Sequence, residues 1–258
     1  MEIGVKWRQK NGVRKMKWLD RWFRKIEEEE KPVLYCVHGF GVRRTVEFAR
    51  LVDYFQPLGY TVVTPELFDQ TDETDVDASR WIKRAEDGLV KLLDQEKTVW
   101  LLGYSMGGVI ASKLASLYPV ERLVLLAPAF DYLSIKVVMD KVEGVARAII
   151  RQPEKNKSEF PPFPESFSNV FRDVVALCKE SISQVLCPIL ILHGSSDQTI
   201  PVRSSEWAYA RINHQDKLLL IIEGAPHRML DEAGLNQDIL KIIHDFFKKE
   251  IIKESTRR

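Results

Sequence analysis

From residue 31 onward the chain alternates between two textures. Short apolar runs recur at Val33-Leu34-Tyr35-Cys36-Val37, Tyr60-Thr61-Val62-Val63, Thr98-Val99-Trp100-Leu101-Leu102, Arg122-Leu123-Val124-Leu125-Leu126, Pro188-Ile189-Leu190-Ile191-Leu192 and Lys217-Leu218-Leu219-Leu220-Ile221-Ile222. They are apolar at nearly every position rather than at every second one, as strands covered on both faces are. Between them lie longer segments with helical spacing. Over residues 76–94, Val76, Ile82, Ala85, Leu89 and Leu92 recur at steps of three, four and six. Over residues 235–252, Leu235, Ile239, Ile242, Ile243, Phe246, Phe247 and Ile251 form one broad stripe. Strand, helix, strand, repeated, predicts an α/β fold with a mostly parallel sheet flanked by helices.

Two segments break the rhythm. Residues 1–31 form a basic N-terminal extension that ends in the acidic run Glu27 to Glu30. Within it Val13, Met16, Leu19, Trp22 or Phe23, and Ile26 share one helical face. Two readings follow. The helix lies on an anionic membrane surface through residues 1–26, with Trp7, Trp18 and Trp22 as anchors, or it docks on its own domain. The second segment is residues 131–186. It is too long for an ordinary connection, and Pro161, Pro162 and Pro164 exclude a helix through its middle. Its ends, 131–151 and 169–183, read as helical.

Composition narrows the function classes. With 38 basic and 37 acidic residues the net charge is +1, so the chain has no overall electrostatic footprint for nucleic acid. The three cysteines, Cys36, Cys178 and Cys187, form no CxxC pair and cannot all pair. That argues against a disulfide framework or a thiolate zinc site and for reduced thiols. There is no long apolar run and no secretory h-region, so the expectation is a cytoplasmic protein.

The chemistry begins at Gly103-Tyr104-Ser105-Met106-Gly107, a G-x-S-x-G. Alone the pattern is weak. Here it follows a strand directly and opens a helix, the context a nucleophile elbow requires. Small residues on either side leave room for a strained serine turn. A serine hydroxyl needs a base. Of the five histidines, His227 sits on the loop just past the last strand, at the same sheet edge as Ser105. His244 and His214 read as surface residues, and His193 closes its strand. The imidazole needs an orienting carboxylate, and Asp197 follows the strand 188–192 at that edge. Two N–H donors must hold an oxyanion. Met106, after the nucleophile, is one. Phe40, in His38-Gly39-Phe40-Gly41 after the first strand, is the other, with His38 holding that loop in place.

Val37-His38-Gly39-Phe40, Gly103 to Gly108, Leu192-His193-Gly194 through Asp197 to Ile200-Pro201, and Gly224-Ala225-Pro226-His227 together resemble the four signature segments of α/β-hydrolases. The nearest branch is similar to the bacterial carboxylesterases and monoacylglycerol lipases. The resemblance spans about residues 32–250 and implies an α/β-hydrolase fold for 32–258. It further implies a small cap, residues 131–186, inserted between strands six and seven. Such a cap would exclude water and offer an apolar acyl pocket, with Phe130, Tyr132, Leu133, Val137, Val138 and Phe163 as candidate lining. The chain departs from the family after Thr64. Many relatives carry Gly-His-Gly there, whereas this chain has Pro65 to Asp69 and then Asp72, Glu73, Asp75 and Asp77. These acids are either a rim that disfavours anionic substrates or a solvated loop with helix N-caps. Where relatives often have an opening hairpin, this chain has the basic extension.

The implied activity is a serine carboxylesterase on neutral esters, with short or medium acyl chains or monoglycerides as substrates. No metal and no organic cofactor is implied. A thioesterase, amidase or exopeptidase would use the same triad; an aminopeptidase would need a cap carboxylate such as Glu143, Glu154 or Glu159. The reading from another class is a non-catalytic module that binds a membrane surface or a partner.

Overall fold

The computed structural model describes residues 30–41, 47–69, 71–132 and 165–249. The basic extension, apart from Glu30 and Lys31, and residues 133–164 of the expected cap 131–186 lie outside the described residues, and so do Leu133, Val137, Val138 and Phe163.

A six-stranded parallel sheet forms the centre, in the order β2-β1-β3-β4-β5-β6. The strands are β1 (Val33–Val37), β2 (Val62–Val63), β3 (Val99–Tyr104), β4 (Arg122–Leu126), β5 (Ile189–Gly194) and β6 (Lys217–Ile222). The helices are α1 (Ala49–Phe55), α2 (Ala78–Asp94), α3 (Met106–Leu117), α4 (Glu165–Cys178), α5 (Arg203–Arg211) and α6 (Asn236–Phe247). Short 3-10 turns cover Lys179–Gln184 and Met229–Asp231.

Both faces of the sheet are apolar because both are covered. Tyr35, Leu101, Leu123 and Ile191 enter the core shared with α2, α3, α4 and α5. Their alternates Leu34, Leu102, Val124 and Leu190 enter the core shared with α1 and α6. This double burial produced the continuous apolar runs in the sequence. Strand order reverses between β1 and β3, since the chain moves outward to β2 and then returns to the other side of β1. In open α/β sheets the crevice beyond the strand ends at such a reversal is where ligands sit. Here it brings the loop after β1 against the turn after β3.

Several boundaries differ from the sequence expectation. α2 begins at Ala78, because the Asp77 carboxylate accepts from the Ser79 and Arg80 N–H groups and caps it. Val76 therefore lies outside the helix and is 42% exposed, while Trp81 takes its place in the buried stripe. α6 ends at Phe247. His244 is half-buried within an aromatic cage of Tyr54, Phe55 and Tyr60, and the Tyr60 hydroxyl meets its Nε2 at 3.0 Å. His214 is likewise half-buried. Residues 131–186 join β4 and β5, the fourth and fifth strands among the described residues. The described end of that segment packs into the main body. Phe167, Val170, Phe171 and Val174 of α4 are buried in the same core as Trp81 and Val109. Cys36 and Cys178 are free and buried, and Cys187 is free and partly exposed. Among the described residues no helix is long and apolar enough to cross a membrane.

Gly88 shows how tightly α2 sits on the sheet. An alanine inside a helix is ordinarily worth about 1 kcal/mol over glycine. A Cβ at Gly88, however, would lie 2.2 Å from the Tyr35 hydroxyl, which donates to the Ala85 carbonyl at 2.7 Å. Gly88→Ala is therefore expected to destabilise the fold by about 1–3 kcal/mol. Tyr35→Phe in the same chain should recover most of that loss. Urea denaturation of the two single variants and the double variant checks the coupling; additive losses would contradict it.

Candidate active site

The turn after β3 is strained. Ser105 adopts φ 54 and ψ −119, a region that L-residues rarely occupy and that costs about 1–3 kcal/mol. Its backbone is held on both sides: the Ser105 N–H donates to Leu126 O, and its carbonyl accepts from Gly108 and Ala129. The flanking glycines are required by distance. A Cβ on Gly103 would lie 2.5 Å from the Gly107 carbonyl oxygen, and one on Gly107 would lie 2.1 Å from that of Val37. Met106 opens α3, so its N–H has no acceptor within the helix.

The loop after β1 lies against this turn. A Cβ on Gly39 would be 3.2 Å from the Ser105 Cβ. His38 Nδ1 meets the Gly39 carbonyl at 2.8 Å, and the Leu67 N–H donates to His38 Nε2 at 3.2 Å. An acceptor on one nitrogen and a donor on the other assign the neutral tautomer with the proton on Nδ1. Phe40 is buried, its ring packed against Phe171 at 5.4 Å and Trp81 at 6.3 Å.

Beyond β5 and β6 the structure brings Asp197 and His227 together. His227 Nδ1 and Asp197 Oδ2 are 2.6 Å apart, with the aspartate side chain fully inaccessible. The other carboxylate oxygen accepts from the Thr199 and Ile200 N–H groups. A second histidine joins them: His193 Nε2 lies 3.3 Å from Asp197 Oδ2 and 3.0 Å from the Ile200 carbonyl, and its Nδ1 meets Ser205 Oγ at 2.6 Å. Burial alone would raise the Asp197 pKa. Hydrogen bonds to the His193 and His227 rings, the nearby His227 and the Ile200 N–H outweigh it and hold the carboxyl well below the usual carboxylate range. The His227 ring packs at 5.0 Å on Tyr104, the residue before Ser105.

The remaining sequence candidates fall as follows. Phe130 is buried and stacks on Trp207 at 5.6 Å. Tyr132 is half-buried and meets Phe171 edge-on at 5.1 Å. In the acidic segment, Asp69, Asp72 and Asp77 each accept bonds within their own turn, and Asp75 is buried against Arg84 at 2.5 Å. These four acids cap turns and α2. Among the described residues no group of three or more His, Cys, Asp or Glu could hold a metal ion. Sequence reading missed Glu47. Its buried carboxyl accepts the Gly39 N–H at 2.6 Å. Eight positions from the glycine and inside no motif, it left no local signal. His193 carried one, since it stands just before the glycine of a signature segment.

Comparison with known proteins identifies the family and the fold. The family model described as "Alpha/beta hydrolase family" matches residues 34–235. A thermostable monoacylglycerol lipase from Bacillus sp. (strain H-257) is 24% identical over 237 residues, covering 86% of this chain and 92% of its own. A carboxylesterase from Bacillus subtilis (strain 168) is 25% identical over 234 residues, covering 83% of this chain and 92% of its own. The structure reported for the metagenome-derived lipolytic enzymes LipS and LipT superposes with a TM-score of 0.66 at 21% identity, over 84% of this chain and 94% of that one. This last likeness is one of fold.

Glu47 offers a pH test of the site's electrostatics. Burial pushes its carboxyl up to about 8, against the downward pull of the Gly39 N–H and Arg228 and with a further push from Asp231. Between roughly pH 4.5 and pH 8 the folded acid holds a proton that the unfolded chain has lost, so the wild type loses stability as pH rises through that window. Glu47→Gln carries no such proton. Relative to the wild type it should gain stability from about pH 5 to about pH 8, by at most about 1.4 kcal/mol per pH unit, and level off above. Urea denaturation across that range checks this; a difference independent of pH would contradict it.

Proposed function

The chain belongs to the alpha/beta hydrolase family, and from that premise we propose that it is a serine carboxylesterase acting on neutral carboxylic esters through an acyl-enzyme. The observation that carries the reading is the Asp197–His227 hydrogen bond at the same sheet edge as the strained Ser105 turn. The lipase and esterase names of the Bacillus relatives support ester hydrolysis as the reaction class.

Asp197 stays ionised and accepts the Nδ1 proton of His227, which leaves Nε2 as the basic nitrogen. Ser105 Oγ attacks the acyl carbon while His227 takes its proton. The Met106 and Phe40 N–H groups face the negative charge that develops on the carbonyl oxygen. The positive end of α3 adds to this stabilisation. His227 then returns its proton to the leaving alcohol, and the acyl group remains on Ser105. Water, deprotonated by the same imidazole, attacks the acyl carbon, and the imidazole returns that proton to Ser105 Oγ as the acid leaves. Neutral esters of short or medium chains, or monoglycerides, are the proposed substrates. Phe130 and Tyr132 are the described candidates for lining the proposed acyl site.

Initial rates on p-nitrophenyl esters from acetate to palmitate, for wild type and Ser105→Ala, test the reading. The wild type should turn over with a chain-length optimum, and Ser105→Ala should lose about a thousandfold or more in kcat. Turnover that survives in Ser105→Ala would overturn the serine mechanism. No turnover of any ester by the wild type would overturn the esterase reading.

A further inference from the structure

We infer that Glu47 is a positioning residue for the oxyanion hole, holding the Gly39 amide so that the Phe40 N–H keeps its direction. This rests on the serine-hydrolase reading above. Two peptide units meet at Gly39. The unit joining His38 to Gly39 is held through its N–H, which donates to Glu47 Oε2 at 2.6 Å. The unit joining Gly39 to Phe40 is held through its carbonyl, which accepts from His38 Nδ1 at 2.8 Å. In a planar trans peptide the N–H points opposite to the carbonyl, so a fixed Gly39 carbonyl aims the Phe40 N–H the other way. Gly39 lies so close to Tyr104 Cδ1, Glu47 Oε1 and Ser105 Cβ, each within 3.1–3.2 Å of a built Cβ, that a larger residue would displace them. Glycine is also the residue whose φ and ψ are least restricted. The two hydrogen bonds supply the restraint that a side chain would otherwise give, and Glu47 makes one of them.

A buried carboxyl is costly, and an apolar side chain would fill the same space without that cost. Glu47 is 5% exposed, and its Oε1 has no hydrogen-bond partner among the described residues. Tyr104 Oη and Arg228 Nη1 are buried in the same condition. All three residues line one small cavity, about 230 Å³ with its open mouth counted. Tyr104 precedes Ser105, and Arg228 follows His227. The cavity thus adjoins the backbone of the proposed nucleophile and base, and Glu47 reaches from it to Gly39, the residue before the proposed oxyanion donor Phe40.

The test compares Glu47→Met, which keeps the length and removes the acceptor, with Glu47→Gln, which keeps a carbonyl acceptor. Each is measured for kcat and KM on one p-nitrophenyl ester. Each is also measured for inhibition by a trifluoromethyl ketone, which forms an oxyanion on serine, and by the product acid, which does not. Removing an oxyanion donor outright costs about 10²–10³ in kcat, and misdirecting one should cost less, about 10- to 100-fold. Glu47→Met should show that loss with KM within about threefold. Its affinity for the ketone should fall by the same factor as kcat/KM, with product binding unchanged. Glu47→Gln should recover most of both. Melting temperature and near-ultraviolet circular dichroism report the fold, and Glu47→Ala takes the same measurements if Glu47→Met does not fold. Wild-type kcat and ketone affinity in a folded Glu47→Met overturns the inference. So does an equal loss of ketone and product binding, which marks general loosening. A fluorophosphonate that fails to label wild-type Ser105 overturns the hydrolase reading itself, and this inference with it.

Discussion

The site depends on backbone meeting backbone where β1 and β3 end. No side chain fits between Val37 and Gly107, or between Gly103 and the first turn of α3, because built Cβ atoms there fall within 2.1–2.5 Å of carbonyl oxygens. That closeness follows from topology. β1 and β3 are parallel neighbours, with Val37 level with Gly103, so their carboxyl ends reach the same height. The strand order reverses at the same place and opens a crevice above them. The strained Ser105 turn is held there by its own backbone hydrogen bonds and by the buried first turn of α3. Strain of this kind persists only where the surroundings over-determine it.

Two buried carboxyls flank this arrangement, and their hydrogen bonds set them apart. Asp197 accepts from Thr199, Ile200 and His227 and lies beside His193, so it remains an anion despite burial. Glu47 accepts the Gly39 N–H on one oxygen, and burial dominates. Donor number decides the outcome in each case. A permanently charged Asp197 suits an imidazole that must carry positive charge for part of each cycle. Glu47 instead acts on a backbone amide, where its value lies in the direction it sets.

Much of this was legible from local rules. The six apolar runs became the six strands; the four inner strands are buried on both faces, which removes alternation, and the edge strands β2 and β6 are half-buried. The G-x-S-x-G was readable because its steric demand involves neighbours in sequence. The candidates Ser105, Asp197 and His227 were legible as residues just past strand ends, and in a parallel sheet those ends share an edge. What stayed hidden depends on closeness between residues far apart in sequence. Nothing near Glu47 announces that its carboxyl reaches Gly39, and nothing near His193 announces its contact with Asp197. Val76 was misplaced because Asp77 caps α2 one residue later. The acids after Thr64 carried two readings in sequence, and the bonds of Asp69, Asp72, Asp75 and Asp77 show that these four cap turns and α2. His244 looked exposed on a helix until the Tyr54, Phe55 and Tyr60 rings closed around it.

In the proposed mechanism Ser105 carries the acyl group between the two halves of the reaction. Acid quenching of the wild type within the first turnover of a p-nitrophenyl ester, followed by peptide mass spectrometry, tests this directly. The account predicts the acyl mass on the peptide containing Ser105, on no other peptide, and absent from Ser105→Ala. Steady hydrolysis with Ser105 unmodified at every quench time, or an acyl group on another residue that is kinetically competent, would contradict it.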